Sequence, residues 1–185
     1  MELNLEENTK QEDQLEQIGR RILALSRNEL YLQMRFLDVA LSSLAYVQDF
    51  SVSLVATDGW NLYFHPGELG GLYRKNRLDV NRAYLHAVMH CIFRHMITRK
   101  GREKLWWNLA CDIVTESIID GWNTRNIRRA KSWLRQETYR KMQGEMKVLT
   151  AEKVYGSLMR WELSEREMLR LQAEFTVDDH KYWAE

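Results

Sequence analysis

Apolar side chains recur every three to four residues through most of the chain, which predicts a largely helical fold. A narrow stripe of apolar residues at helical spacing predicts a helix, otherwise polar, over roughly Glu6–Ser26. Asn28 is suited to cap a second helix, whose core face runs on to Val47. Further helices are predicted at 80–98 with Asp79 as N-cap and Gly101 as stop, and at 103–119, 126–146, 151–161 and 165–175.

The pattern changes period between residues 51 and 65. Ser51–Thr57 is rich in β-branched residues, and Trp60–His65 is aromatic and alternates between apolar and polar positions. Asp58-Gly59 joins the two runs, which is a strong local signal for a β-hairpin. The chain is therefore predicted to be an α+β, mostly helical domain, with a small sheet that includes a hairpin at 51–65.

Composition limits the classes of function. The chain has 185 residues, of which 45% are hydrophobic and 29% charged, as in ordinary globular domains. A net charge of +1 gives no basic field for nucleic acid, and no apolar run approaches the ~20 residues that span a bilayer. The polar N-terminus does not resemble a signal peptide, and two cysteines make no disulfide framework. We therefore expect a cytoplasmic protein.

Three of the five histidines lie within ten residues of each other, at positions 86, 90 and 95. On a helix, His86 and His90 are one turn apart on one face, so that both imidazoles can reach one zinc ion. The flanking residues are apolar, and a buried histidine pair without a shared partner is costly. Two unrelated polar residues are the alternative. His95 can join the same ion only if the helix breaks after His90, and otherwise it forms hydrogen bonds elsewhere.

The next predicted helix offers two carboxylates, Asp112 and Glu116, which are also four residues apart. Their neighbours are apolar, so at least one carboxylate is expected to face the protein interior, where it needs a cation. Asp112 lies deeper in the apolar run and is the favoured metal ligand. The alternative is that Asp112 only orients a histidine and that Glu116 lies on the surface.

Several short motifs occur together in a distinctive order. They are Ala56-Thr-Asp-Gly59, Leu62-Tyr-Phe-His-Pro66, Leu85-His86-x-x-x-His90-x-x-x-x-His95 and Trp107-Asn-x-Ala-Cys-Asp112. Over about residues 45–120, this succession resembles the metallopeptidase domain that precedes a von Willebrand factor A-like domain in bacterial proteins. The ending Asp179-His180-x-x-Trp183 resembles the segment that leads toward the A-like domain. The resemblance implies a zincin-like fold, a zinc cofactor, and an A-like partner domain in the same longer chain.

Two departures from the family pattern bear on function. Ala87 occupies the position of the glutamate in the family motif His-Glu-x-x-His, which in zincins is the general base that takes a proton from the attacking water. Arg94 and Glu116 stand where the family pattern has a small residue and an asparagine. Glu116 is therefore a candidate ligand or relocated catalytic acid, and Ala87 marks the lost general-base position.

Three hypotheses follow for function. We favour a degenerate zinc metallopeptidase-like domain that retains or has lost its metal, binds a protein or peptide, and has little or no peptidase activity. The first alternative is an active zinc-dependent peptidase that uses metal hydroxide or Glu116 in place of the missing base. The second is a helical interaction module without metal. The predicted organisation is a zincin-like domain at 1–125 and a helical extension at 126–185 that packs on it.

Overall fold

The computed structural model describes residues 2–183, with side chains from residue 10 onward. This part of the chain contains eight α-helices and one three-stranded sheet, which confirms the mostly helical α+β class. The helices are α1 (Glu2–Gln33), α2 (Asp38–Ser42), α3 (Pro66–Lys75), α4 (Arg77–Phe93), α5 (Lys104–Trp122), α6 (Trp133–Glu145), α7 (Ala151–Arg160) and α8 (Glu165–Phe175). The strands are β1 (Ala45–Gln48), β2 (Val55–Thr57) and β3 (Asn61–Phe64).

The predicted hairpin is present, although it is shorter than the 51–65 range. β2 and β3 pair antiparallel, with Val55 opposite Phe64 and Thr57 opposite Leu62. Asp58 stabilises the turn, because its Oδ1 accepts hydrogen bonds from the backbone N–H groups of Trp60 and of Asn61, the first residue of β3. Gly59 has a φ of +96°, a conformation that glycine adopts without strain.

The prediction of two helices over residues 6–47 was wrong in both its break and its end. α1 continues through Asn28 to Gln33, because its buried side, with Ile22, Leu23 and Leu30, extends across the predicted break. Residues 45–48 form β1 and pair parallel to β3. Backbone pairing with a strand that lies later in the chain therefore overrides the helical spacing of the local apolar residues.

The boundaries of the two central helices also differ from those predicted. α4 is capped by Asn76, whose side chain accepts from the backbone N–H of Leu78, and not by Asp79. It ends at Phe93 rather than residue 98, because Arg94 adopts a left-handed conformation with φ 58°. α5 begins as predicted but passes Gly121 and ends at Trp122, where the C-cap residue Asn123 is also left-handed.

The C-terminal helices α7 and α8 agree with the predictions, and Ser164 and Glu167 form the expected capping box. The predicted helix at 126–146 was too long, since α6 begins only at Trp133. One face of α6 is exposed, with Trp133 and Arg140, whereas Arg135, Tyr139 and Met142 on the other face are buried.

Two apolar cores position the central helices. One core joins α1, the sheet and α3 to α4, and the other joins α5 to α6, α7 and α8. α4 and α5 are in contact with each other, so the site described below lies between the two cores. Among residues 2–183, no helix is both long enough and apolar enough to cross a membrane.

Gly19 marks the closest approach between α1 and the sheet. A Cβ atom built on Gly19 would lie 2.2 Å from the ring of Phe64, which is itself fully buried. We therefore expect Gly19→Ala to lower the free energy of unfolding by about 1–3 kcal/mol through overpacking. Helix propensity alone would raise it by up to about 1 kcal/mol. Urea denaturation measures whether the free energy of unfolding falls or rises. Gly144→Ala is the matched control, because Gly144 is exposed on helix α6 and nothing lies within 4 Å of a Cβ atom built on it.

Candidate metal centre

Helix α4 brings two imidazoles into the interior. Every residue of α4 from Val80 to His90 is buried, so the helix has no solvent-facing side over this length. His86 and His90 lie one turn apart with ring centroids separated by 4.5 Å. Both histidines have no exposed surface, and each can be stable there only if its ring nitrogens find partners.

Helix α5 places Asp112 beside this pair. The Oδ1 atom of Asp112 is 3.5 Å from Nε2 of His86 and 3.3 Å from Nε2 of His90. The structure therefore brings together the two histidines and the carboxylate that the sequence analysis favoured as ligands. Asp112 is fully buried among the apolar residues of α5, so its charge has no access to water.

A second carboxylate and a third imidazole come from the segment that follows α8. Oδ1 of Asp178 lies 3.5 Å from Nε2 of His86 and 3.6 Å from Nε2 of His90. Nε2 of His180 lies 3.0 Å from Oδ1 of both Asp112 and Asp178. The sequence analysis missed both residues as site residues. The sequence Asp-Asp-His at residues 178–180 could have indicated them, but the sequence analysis interpreted this stretch only as the segment that connects to another domain.

The arrangement of these atoms fits a metal ion. Single ligand atoms from His86, His90, Asp112 and Asp178 all lie within 4.8 Å of one another. Around an ion with bonds of ~2.0–2.1 Å, neighbouring ligand atoms are separated by roughly 3.0–3.4 Å. The nitrogen–oxygen distances in the group, 3.0–3.6 Å, are close to this spacing.

Buried polar atoms without a hydrogen-bond partner give an independent test of whether a metal ion fits this group. Among the described residues, the buried ring and carboxylate atoms that face the group have no hydrogen-bond partner: Nε2 of His86, His90 and His180, Oδ1 of Asp112, and both oxygens of Asp178. Their close approaches thus lack the geometry of hydrogen bonds. Buried polar atoms are normally satisfied, and a shared cation would satisfy all of these at once.

The electrostatics of the group also favour a cation. Burial lowers the pKa of His86, but Asp112 and Glu116 outweigh it and raise this pKa to about 9. Burial lowers the pKa of His180 as well, and there Asp112 and Asp178 raise it to about 10. Burial would raise the pKa of Asp112 and Asp178, but the His180 charge holds both below their usual range. The two buried carboxylates are thus stable only beside a positive charge, which protonated imidazoles or a divalent ion can supply.

The opposite nitrogen of each α4 histidine has its own partner. Nδ1 of His86 lies 2.9 Å from Oε1 of Glu116, and Nδ1 of His90 lies 2.8 Å from Nδ1 of His95. Metal-binding histidines commonly use their second nitrogen in this way, which fixes the ring and its tautomer. Both Nε2 atoms are left to face Asp112 and Asp178.

His95 lies beside His90 rather than inside the four-residue group. α4 ends after His90, as the sequence analysis required for His95 to turn back toward the site. Burial lowers the pKa of His95 to about 3, so that its neutral Nδ1 can accept the proton of His90 Nδ1. Its assignment as a metal ligand stays a prediction, while its observed contact orients His90.

Glu116 is completely enclosed, and both of its oxygens are engaged. Oε1 contacts His86, and Oε2 accepts hydrogen bonds from Arg82 at 2.6 Å, Arg135 at 2.6 Å and Arg129 at 3.0 Å. Burial would raise the pKa of Glu116, but His86 and the arginines hold it well below its ordinary value. The residue is therefore a permanent carboxylate that positions His86.

Ala87 is fully buried next to His86 on α4 and forms part of the apolar core. Its methyl group offers no proton acceptor at the position that the family motif gives to glutamate. The carboxylates in contact with the two α4 imidazoles, within the described part of the chain, are Asp112, Glu116 and Asp178.

The fold and site together define a helical α+β domain built around a potential metal centre. The family model described as "Putative metallopeptidase domain" matches residues 20–179, which is most of the chain. The chain therefore belongs to this family of metallopeptidase domains, which confirms the resemblance. The match passes through residue 125, where we placed a domain boundary, and that boundary stays a prediction. No curated protein and no solved structure gives a significant match to the chain.

Proposed function

We propose that this domain binds one zinc ion through His86, His90, Asp112 and Asp178, and has lost peptidase activity. The observation that carries the proposal is that each carboxylate facing the α4 imidazoles already has a role. Asp112 and Asp178 stand at ligand positions, and Glu116 is bound to His86 and three arginines. With Ala87 at the motif position, no further carboxylate of the described residues contacts these imidazoles to accept a proton from water.

The donor set supports zinc as the metal. Imidazole nitrogen and carboxylate oxygen are ligands that zinc accepts in tetrahedral or five-coordinate sites. Zinc, when bound, supplies Lewis acidity and the positive charge that two buried carboxylates require. The residues of this chain would hold the ion at the junction of α4, α5 and the segment after α8.

The same arrangement argues against the active alternative, both with metal hydroxide and with Glu116 as the base. Catalytic zinc sites keep one position open for water or substrate, whereas structural sites are closed by protein ligands. Asp178 reaches the group from a third segment and faces both imidazoles, so that four protein side chains are available as ligands, as in a closed site. Glu116 is a poor replacement base, because accepting a proton would break its ion pairs with Arg82 and Arg135.

We propose that the domain acts by binding a protein or peptide, with an A-like domain of the same longer chain as the expected partner.

Two measurements on the same preparation test this function. Protein purified without added metal is expected to contain about one zinc per chain by elemental analysis. Incubation with a peptide library is expected to give no cleavage above that of His90→Ala, which controls for contaminating proteases. Ala87→Glu restores the family acid, and cleavage by this variant alone would attribute the inactivity to the lost base. Cleavage by the wild-type protein that His90→Ala abolishes would contradict the proposal.

A further inference from the structure

The segment after α8, residues 176–183, covers an edge of the sheet. The strand order is β1-β3-β2, so β2 lies at an edge. The backbone N–H of Asp179 donates to the carbonyl of Val55 at 2.8 Å, and Asp179 forms a parallel bridge with Ala56. An extended peptide that adds to a sheet pairs with such an edge. Here the chain itself occupies that position.

Side chains in this segment alternate between the interior and the surface. Asp178 and His180 are buried, whereas Asp179 and Lys181 are more exposed. This alternation is that of an extended strand. As a result, the two inward-facing residues of 178–181 carry metal-binding groups, and both reach the candidate metal centre.

His180 lies outside the group of four but contacts both of its carboxylates. Its Nε2 is buried, has no hydrogen-bond partner among the described residues, and lies 3.0 Å from Oδ1 of both Asp112 and Asp178. The ring of Trp183 covers this side of the site, with its centroid 3.9 Å from that of His180 and 4.8 Å from that of His90.

We infer that His180 is a further metal ligand and that, together with Asp178, it makes residues 176–183 a metal-dependent clasp over the edge of β2. The inference rests on the proposed zinc site. It adds that the ion joins the end of this domain to its centre, and that closing the clasp removes the edge of β2 from peptide binding.

The charges explain why the clasp depends on metal. When the clasp is closed, the carboxylate of Asp178 lies in the same buried group as the carboxylate of Asp112, and neither charge reaches water. A divalent ion bound directly to both carboxylates brings two positive charges within about 2 Å of their oxygens, closer than the imidazole nitrogens at 3.0–3.6 Å. The outer contacts of the clasp, between Lys181 and Ser51 and between the rings of Tyr182 and Tyr63, lie at or near the surface and contribute less. Ion binding and clasp closure are therefore thermodynamically linked.

Hydrogen–deuterium exchange on the whole chain tests this linkage. Zinc-loaded protein is compared with protein stripped by a chelator, and the backbone amides of 176–183 are followed separately from those of α7. Removal of zinc is expected to speed exchange in the clasp by about tenfold or more. Exchange in α7, which contributes no ligand, is expected to change much less.

Matched substitutions within the clasp separate metal binding from local stability. Asp178→Asn and His180→Ala are each expected to weaken zinc binding by about tenfold or more and to give fast clasp exchange at zinc levels that saturate the wild type. Asp179→Asn and Lys181→Ala change the adjacent outward-facing residues, and are expected to weaken zinc binding far less than Asp178→Asn and His180→Ala do. Circular dichroism establishes that all four variants fold.

The outcomes distinguish this inference from the proposed function. Wild-type protein that binds no zinc contradicts both. Full zinc binding with the same clasp exchange before and after chelation overturns the clasp alone. Zinc affinity that is unchanged in His180→Ala overturns the assignment of His180 as a ligand, while the group of four remains.

Discussion

Replacement of His90 by alanine is expected to lower the zinc affinity by roughly 10²–10³-fold, so that the variant is purified with little zinc. His90 offers its Nε2 to the group at 3.3 Å from Asp112 and 3.6 Å from Asp178, and no neighbouring side chain can replace it from α4. Competition with a chromophoric chelator measures the affinity directly. Thermal denaturation with and without zinc is expected to show stabilisation by zinc in the wild type and almost none in the variant.

His95→Ala is the informative companion to this variant. Because His95 contacts Nδ1 of His90 in the structure, its loss is expected to weaken zinc binding by roughly 10–100-fold, as for other residues that orient a ligand. A loss as large as that of His90→Ala would instead support the sequence-based assignment of His95 as a ligand. Undiminished zinc binding in His90→Ala would contradict the proposed centre.

Replacement of Arg135 by alanine is expected to lower the free energy of unfolding by about 3–5 kcal/mol, the range measured when one partner of a buried ion pair is removed. The Arg135 side chain is fully buried and bonds Glu116, Asp120 and Glu174. It therefore joins α6 and α8 to the helix that carries Asp112. Its removal leaves two interior carboxylates with fewer cationic partners and opens a cavity.

Arg140→Ala provides the matched control for this experiment. Arg140 lies on the same helix, but its side chain is exposed and pairs with Glu137, one turn earlier on α6. Chemical denaturation is expected to give no measurable loss of stability for Arg140→Ala. Equal stability of the wild type and Arg135→Ala would show that the buried ion network does not hold α5 and α6 together.

Much of the local structure could be predicted because its signals lie close together in the sequence. Asp58-Gly59 between two β-prone runs predicted the hairpin, and Ser164 with Glu167 predicted the start of α8. The spacing of His86 and His90 placed both imidazoles on one helical face, as observed. In each case the stabilising partners are within a few residues of each other, so that the pattern itself contains the interaction.

The remainder depends on contacts between distant residues. β1 forms only through parallel pairing with β3, and its apolar spacing alone looked helical. Glu116 was expected at the surface or at the metal, but Arg82 and Arg135 enclose it from two other helices. Asp178 reaches the centre 66 residues after Asp112, through a backbone bond to β2 that no local pattern announces.

X-ray absorption spectroscopy at the zinc edge, on protein loaded with one equivalent of zinc, tests the central claim most directly. We expect a first shell of nitrogen and oxygen only, at ~2.0–2.1 Å, with the outer-shell scattering of at least two imidazoles. The same spectrum is expected to lose imidazole scattering in any His90→Ala sample that can be loaded. A sulfur shell at ~2.3 Å, which would place zinc on Cys91 or Cys111, or a shell without imidazole, would contradict the assignment of His86 and His90.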